Sequence, residues 1–220
     1  MLLSHIQELL GAIYDVRLAH NVYDFLVTDR ARLPAAARRG TADEELLVAQ
    51  EPGQAEVSLA LYLDPALLVR LQHADPFVAL HAGNLADCLT ALEGVSHFVY
   101  LAFNATHDKP VSLLELELQA EVDKFVASYS LLRRQVPGHF PRELPRLLFE
   151  RARVDPALDA PRAALYREAS RYAERFCRHL EQGLARSRAD IGADAPLLAE
   201  LRRFYRLNTV HKRAHIERAA

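Results

Sequence analysis

The residues whose types and spacing could do chemistry gather between Asn104 and Glu115. Asn104, His107, Asp108 and Lys109 form a short polar loop, and Ser112-Leu-Leu-Glu115 opens the helix expected after it. A histidine titrates near neutral pH and can serve as a general base or a metal ligand. An amide beside it can orient it, and a carboxylate can share its proton. A loop entering a helix N-terminus also favours anions. Asn104, His107, Asp108 and Glu115 are therefore the candidate catalytic set, for acid–base or metal-assisted chemistry. Glu115 has a competing structural role, because S-x-x-E is a capping box that can satisfy two orphan N–H groups. It also lies inside the apolar stripe Leu114, Leu118, Val122, Phe125, Val126, Tyr129 and Leu132. A carboxylate there must be capped, paired or used, since burying it bare is expensive. Glu117, Glu121 and Lys124 are expected on the opposite, solvent side as i,i+4 and i,i+3 partners, with Asp123 on the other flank.

Basic residues offer a second site. Arg167, Arg171, Arg175 and Arg178 share one helical face, and Arg202, Arg203, Arg206, Lys212, Arg213 and Arg218 follow near the end with Phe204 and Tyr205 between them. Arg171, Arg175, Arg178, Arg203 and Arg206 are the candidate binding residues for a nucleic acid or another anion. Glu168, Glu174 and Glu181 interrupt the first stripe, and a pI near 6.6 weighs against a strong polyanion binder. His211 and His215 have the i,i+4 spacing of a metal pair. Lys212 and Arg213 beside them repel a cation, so an exposed tail is expected. His97 is expected on a strand, as a satisfied core or rim residue.

Several mechanisms lack their residues. There is no GxGxxG or GxxxxGK[ST] loop, no HExxH or CxxC pair, no ExxH repeat and no GxSxG elbow. A carboxylate–ExK nuclease strand is excluded because AEVSLALYL has no lysine. The sequence names no cofactor and no metal ligand set.

The elements that must hold these residues follow from periodicity. Leu2, Leu3, Ile6, Leu9, Leu10 and Ile13 mark a helix over 2–19. VYDFLVT, Val22–Thr28, alternates as a strand. Residues 30–43 read as a mobile loop, as do 154–160. EELLVAQ and AEVSLALYL flank EPGQ, a hairpin signal. Asp64-Pro65 starts a helix, and another is expected over 84–93, stopped by Gly94. SHFVYLAF, apolar on both faces, reads as an interior strand. Helices follow at Ser112 to about Gln135, 142–152, 161–185, 195–206 under Asp194, and after Thr209. The expectation is an α+β fold. It has a mostly antiparallel sheet of about four strands within 1–110 and an all-helical part over 111–220 packed against it.

Composition sets the class. Half of the 220 residues are apolar and a quarter charged. No apolar run approaches the ~18 residues that span a bilayer, and MLLSHIQELLGAIYD lacks a positive n-region, so neither membrane span nor signal peptide is expected. Cys88 and Cys177 suit a reducing compartment. Residues 1–110 carry 14 acids against 7 bases, and residues 111–220 carry 15 against 20. The halves can attract each other, or the second can meet an anionic partner. Arginine outnumbers lysine 24 to 3, a bacterial-like coding bias. The leading expectation is a soluble cytoplasmic binding or regulatory protein that meets a protein partner through its second half. A small enzyme at the Asn104–Glu115 set and an arginine-based nucleic-acid binder are the alternatives.

Overall fold

The computed structural model describes residues 2–50, 57–150, 158–187 and 191–219. The order is helix α1 (Leu2–Tyr14), strands β1 (Leu26–Val27), β2 (Glu44–Gln50) and β3 (Val57–Leu63), then helices α2 (Pro65–His73), α3 (Leu85–Ala105), α4 (Leu113–Gln135), α5 (Ala160–Ser187), α6 (Ala195–Arg206) and α7 (Thr209–Ala219). A small mixed sheet near the N-terminus thus precedes a helical C-terminal half.

Helix starts follow their caps. Asp64 accepts from the Ala66 N–H at 2.8 Å with Pro65 at the first helical position, and Asp194 accepts from the Leu197 N–H at 3.0 Å ahead of Pro196. Ser112 Oγ accepts from the Glu115 N–H at 3.2 Å. α7 starts under Asn208, whose Oδ1 accepts from the His211 N–H at 3.1 Å. A π-helical turn, Arg146–Glu150, replaces most of the helix expected over 142–152. Residues 151–152, the 154–157 part of the expected loop, and EPGQ at 51–54 lie outside the described residues.

The sheet corrects the expected strand count and pairing. β2 and β3 pair antiparallel from Glu44↔Leu63 to Gln50↔Val57. β1 pairs parallel with β3 through Leu26↔Leu61 and Val27↔Tyr62, giving the order β1-β3-β2. Among the described residues the sheet therefore has three strands and is mixed, rather than about four and mostly antiparallel. Most of the strand expected over Val22–Thr28 is a 3-10 turn, Val22–Phe25, because Asn21 Oδ1 caps the Tyr23 N–H at 3.0 Å. Residues 30–39 hold two further 3-10 turns, and Leu33 and Ala37 pack with Tyr62 in a small second core.

SHFVYLAF is helix, not strand. Gly94 to Tyr100 are buried without interruption inside α3. A continuous apolar run suits a helix enclosed on all sides as well as an interior strand, and only length separates the two. Gly94 does not end the helix. It gives clearance, since a Cβ there would meet Leu61 Cδ1 at 2.8 Å and Glu44 Cγ at 2.9 Å. α3 is thereby laid against β2 and β3, with α1 and α4 on its other sides.

α4 is sandwiched between α3 and α5 and buries residues around most of its circumference. Glu117, expected on the solvent side, and Asp123, expected on the other flank, are both buried. The apolar core draws on residues from α1 through α7. α1 and α6 are tied together. Arg202 Nε donates to the Ile13 carbonyl at 3.1 Å and Arg206 Nη1 to the Tyr14 carbonyl at 3.1 Å, so two cations cap the C-terminus of α1. Tyr14 stacks on Tyr205 at 4.2 Å. No described helix is long and apolar enough to cross a membrane.

Candidate metal centre

The loop before α4 does not assemble with Glu115 as a set. Asn104 is buried, with Nδ2 on the Tyr100 carbonyl at 2.8 Å. His107 is exposed and Nδ1 turns to the Phe103 carbonyl at 2.8 Å, while Asp108 is exposed with φ 49. Only Lys109 reaches Glu115, at 3.1 Å. Glu115 does not close the capping box. Its Oε1 also accepts from Tyr100 OH at 2.5 Å, and its Oε2 accepts from the Thr209 N–H at 2.8 Å and Oγ1 at 3.0 Å. Burial raises its pKa, but the Tyr100 and Lys109 donors outweigh burial and hold it below the usual range. Glu115 is a fully partnered cap for α7.

The arginines are engaged or dispersed. Arg171 lies over the Tyr172 ring at 5.4 Å, Arg178 pairs with Glu174 at 2.7 Å and Arg206 holds α1, while Arg175 and Arg203 are exposed. The tail is not loose. His215 pairs with Glu200, and Lys212 is fully buried on Gln119, over the rings of Tyr100 at 4.8 Å and Phe204 at 4.4 Å. Gln119 Nε2 passes to Asp123 at 2.7 Å, and Asp123 also accepts from Tyr14 OH at 2.5 Å and Ser96 Oγ at 2.6 Å. Burial raises Asp123 to about 6 against the pull of these donors, and burial lowers Lys212 to about 7. This network joins α1, α3, α4 and α7.

A different cluster lies in the crease between α3 and α4. Glu93 and His97 are one turn apart on α3, and Glu117 and Glu121 are one turn apart on α4. Glu44 enters from β2. The donor atoms of Glu93, His97 and Glu117 all lie within 4.8 Å of one another. His97 Nδ1 is 3.5 Å from Glu44 Oε1 and Nε2 is 3.7 Å from Glu117 Oε2. Both separations suit ion pairs but exceed hydrogen-bond length. His97 Nε2 and Glu44 Oε1 are buried with no hydrogen-bond partner among the described residues. Lys124 Nζ bridges the helices, 2.6 Å from Glu93 Oε2 and 2.9 Å from Glu121 Oε1.

The electrostatics favour a cation. Four carboxylates face Lys124 and His97, which leaves two negative charges in excess even with the imidazole protonated. Burial opposes charge on His97, but Glu117 and Glu44 overcome it and push His97 up to about 10. Burial raises Glu44, and burial together with Glu117 raises the Tyr166 phenol from α5. Carboxylate oxygens with one imidazole suit divalent manganese, iron, cobalt or zinc. Two donors at ~2.1 Å from one ion stand at most ~4.2 Å apart, so the three groups need roughly half an ångström of closure. Glu93, with 27% of its side chain exposed, has room to supply it.

Sequence reasoning missed this centre. Its signal is the pair of i,i+4 spacings, Glu93–His97 and Glu117–Glu121, which is visible only once 85–105 is read as helix. Comparison with family models, with curated proteins and with solved structures returns no match.

Proposed function

We propose that this chain is a divalent-cation-binding protein whose ion is held between α3 and α4 by Glu93, His97 Nε2 and Glu117. The observation that carries the reading is His97 Nε2, a buried ring nitrogen with no hydrogen bond among the described residues, 3.7 Å from Glu117 Oε2 in a cluster that also includes Glu93. The ion pair to Glu117 is too long for a hydrogen bond, and a buried polar atom that lacks one is costly. Glu44 beside Nδ1 supplies the second half of the arrangement. A carboxylate that accepts from Nδ1–H keeps the proton on Nδ1, so that Nε2 presents its lone pair once an ion displaces the second proton. Glu44 is thus a positioning residue, and Glu93 and Glu117 supply the charge. The metal-assisted option considered for the Asn104–Glu115 loop moves, on this reading, to the crease between the helices.

The test is a Mn2+ and Zn2+ titration of chelator-treated full-length protein by calorimetry and by thermal melting. One ion per chain and a raised Tm are expected. His97→Gln and Glu117→Gln should each lose about a hundredfold in affinity, and Glu44→Gln about ten- to a hundredfold at unchanged stoichiometry. Absence of saturable binding, or binding that His97→Gln and Glu117→Gln leave unchanged in folded protein, would reduce the cluster to a structural ion pair.

A further inference from the structure

We infer that the centre takes one ion because the Lys124 ammonium occupies the place of a second, and that removing this ammonium turns it into a two-ion site. The inference rests on the cation-binding reading.

The donors exceed what one ion needs. Glu93 and His97 on α3 face Glu117 and Glu121 on α4, with Glu44 behind His97. Pairs of donors on facing elements, with one carboxylate shared, are the arrangement in which two ions sit about 3.5–4 Å apart. Glu93 is the shared group here. It belongs to the three-donor cluster with His97 and Glu117, and its Oε2 also meets Lys124 at 2.6 Å. Lys124 reaches across to Glu121 Oε1 at 2.9 Å. The ammonium therefore does what a second ion would do. It neutralises Glu93 and Glu121 together and ties α3 to α4. Its stem is held in place, with only 12% of the side chain exposed. A fixed monovalent cation beside a carboxylate shared with the ion keeps a second divalent ion out by repulsion and by occupancy.

The functional consequence is a limit on chemistry. The unaltered chain offers one divalent ion flanked by an ammonium. It can position or polarise one oxygen ligand, but it cannot clamp the entering and leaving oxygens of a displacement between two ions.

The experiment compares wild type, Lys124→Met, Lys124→Gln, Lys124→Arg and Glu121→Gln as full-length proteins with Mn2+. Stoichiometry is read by calorimetry, and ion separation by electron paramagnetic resonance. Wild type and Lys124→Arg should bind one ion with the spectrum of isolated Mn2+. Lys124→Met and Lys124→Gln should bind two, with an exchange-coupled spectrum. Glu121→Gln should keep wild-type affinity within about threefold, since Glu121 serves Lys124 and not the ion, and this holds whether or not the lysine variants fold. Two ions in wild type, one ion in both folded charge-removing variants, or a loss of about tenfold or more in Glu121→Gln would each overturn the inference while leaving the cation-binding reading intact. No ion in wild type would instead remove that reading, and this inference with it.

Discussion

Replacing Lys212 by methionine should stabilise the protein near neutral pH and alter how its stability follows pH. Lys212 is fully buried, and Gln119 accepts from its ammonium between the faces of Tyr100 and Phe204. Burial lowers its pKa from 10.5 to about 7. Between those values the unfolded chain binds a proton that the folded chain does not. The contribution of Lys212 is therefore poorest below pH 7 and improves as pH rises toward 10.5, with a slope of at most about 1.4 kcal/mol per pH unit. At pH 7 the penalty is on the order of 4 kcal/mol. Methionine keeps the length, suits the two rings, and leaves Gln119 Oε1 without its donor at a cost of roughly 2 kcal/mol. The net gain is about 2 kcal/mol at pH 7 and about zero at pH 9. His97 runs the other way in both proteins. Its raised pKa gives stability that is full below 6.5 and lost as pH rises through about 10. Subtracting wild type from the variant at each pH removes that contribution. Urea unfolding at several pH values between about 6 and 9 measures the difference. A difference that does not change with pH, or a variant less stable than wild type at pH 7, refutes the account of a strained buried amine.

Two further substitutions probe the frame around the centre. Gly94→Ala places a methyl 2.8 Å from Leu61 Cδ1 and 2.9 Å from Glu44 Cγ, and should cost about 1–2 kcal/mol after the gain in helix propensity. It should also weaken Mn2+ binding by displacing Glu44 from His97; a stability gain in thermal melts would show that the close approach is not restrictive. Glu115→Ala leaves Thr209, Lys109 and Tyr100 without their shared acceptor, at a cost of about 3 kcal/mol. Amide exchange should then quicken first in α7, and unchanged protection over 209–219 would contradict the capping role.

The parts legible in the sequence were those decided locally. The Asp64, Ser112 and Asp194 caps each need only a side-chain acceptor a few residues from the N–H it satisfies, and the β2–β3 pair needs only two β-rich runs of matched length. The interior was less legible because burial on all sides erases periodicity. For that reason the sequence of α3 reads as a strand, which hides the Glu93–His97 spacing. On α4, Glu117 reads as part of a solvent face because the sequence does not show that α5 packs over it, and Asp123 is buried by Tyr14 of α1 and Ser96 of α3, which are equally remote in sequence. Lys212 reads as part of an exposed tail, since nothing near it in sequence marks Gln119, 93 residues earlier, as its acceptor.

The clasp between α1 and α6 sets a clock for biosynthesis. The carbonyls at the end of α1 wait for Arg202 and Arg206, which lie 189 and 192 residues further along the chain. At ~5–20 residues per second, the first helix leaves the ribosome roughly 10–40 s before its partner exists. In that interval the apolar stripe of α1 has neither α6 nor the Tyr205 ring to cover it. α1 is thus made long before it is locked. Closure at this clasp depends on contacts of long sequence separation, which is slow on topological grounds. Truncation from the C-terminal side would expose the N-terminal helix rather than only shorten the tail.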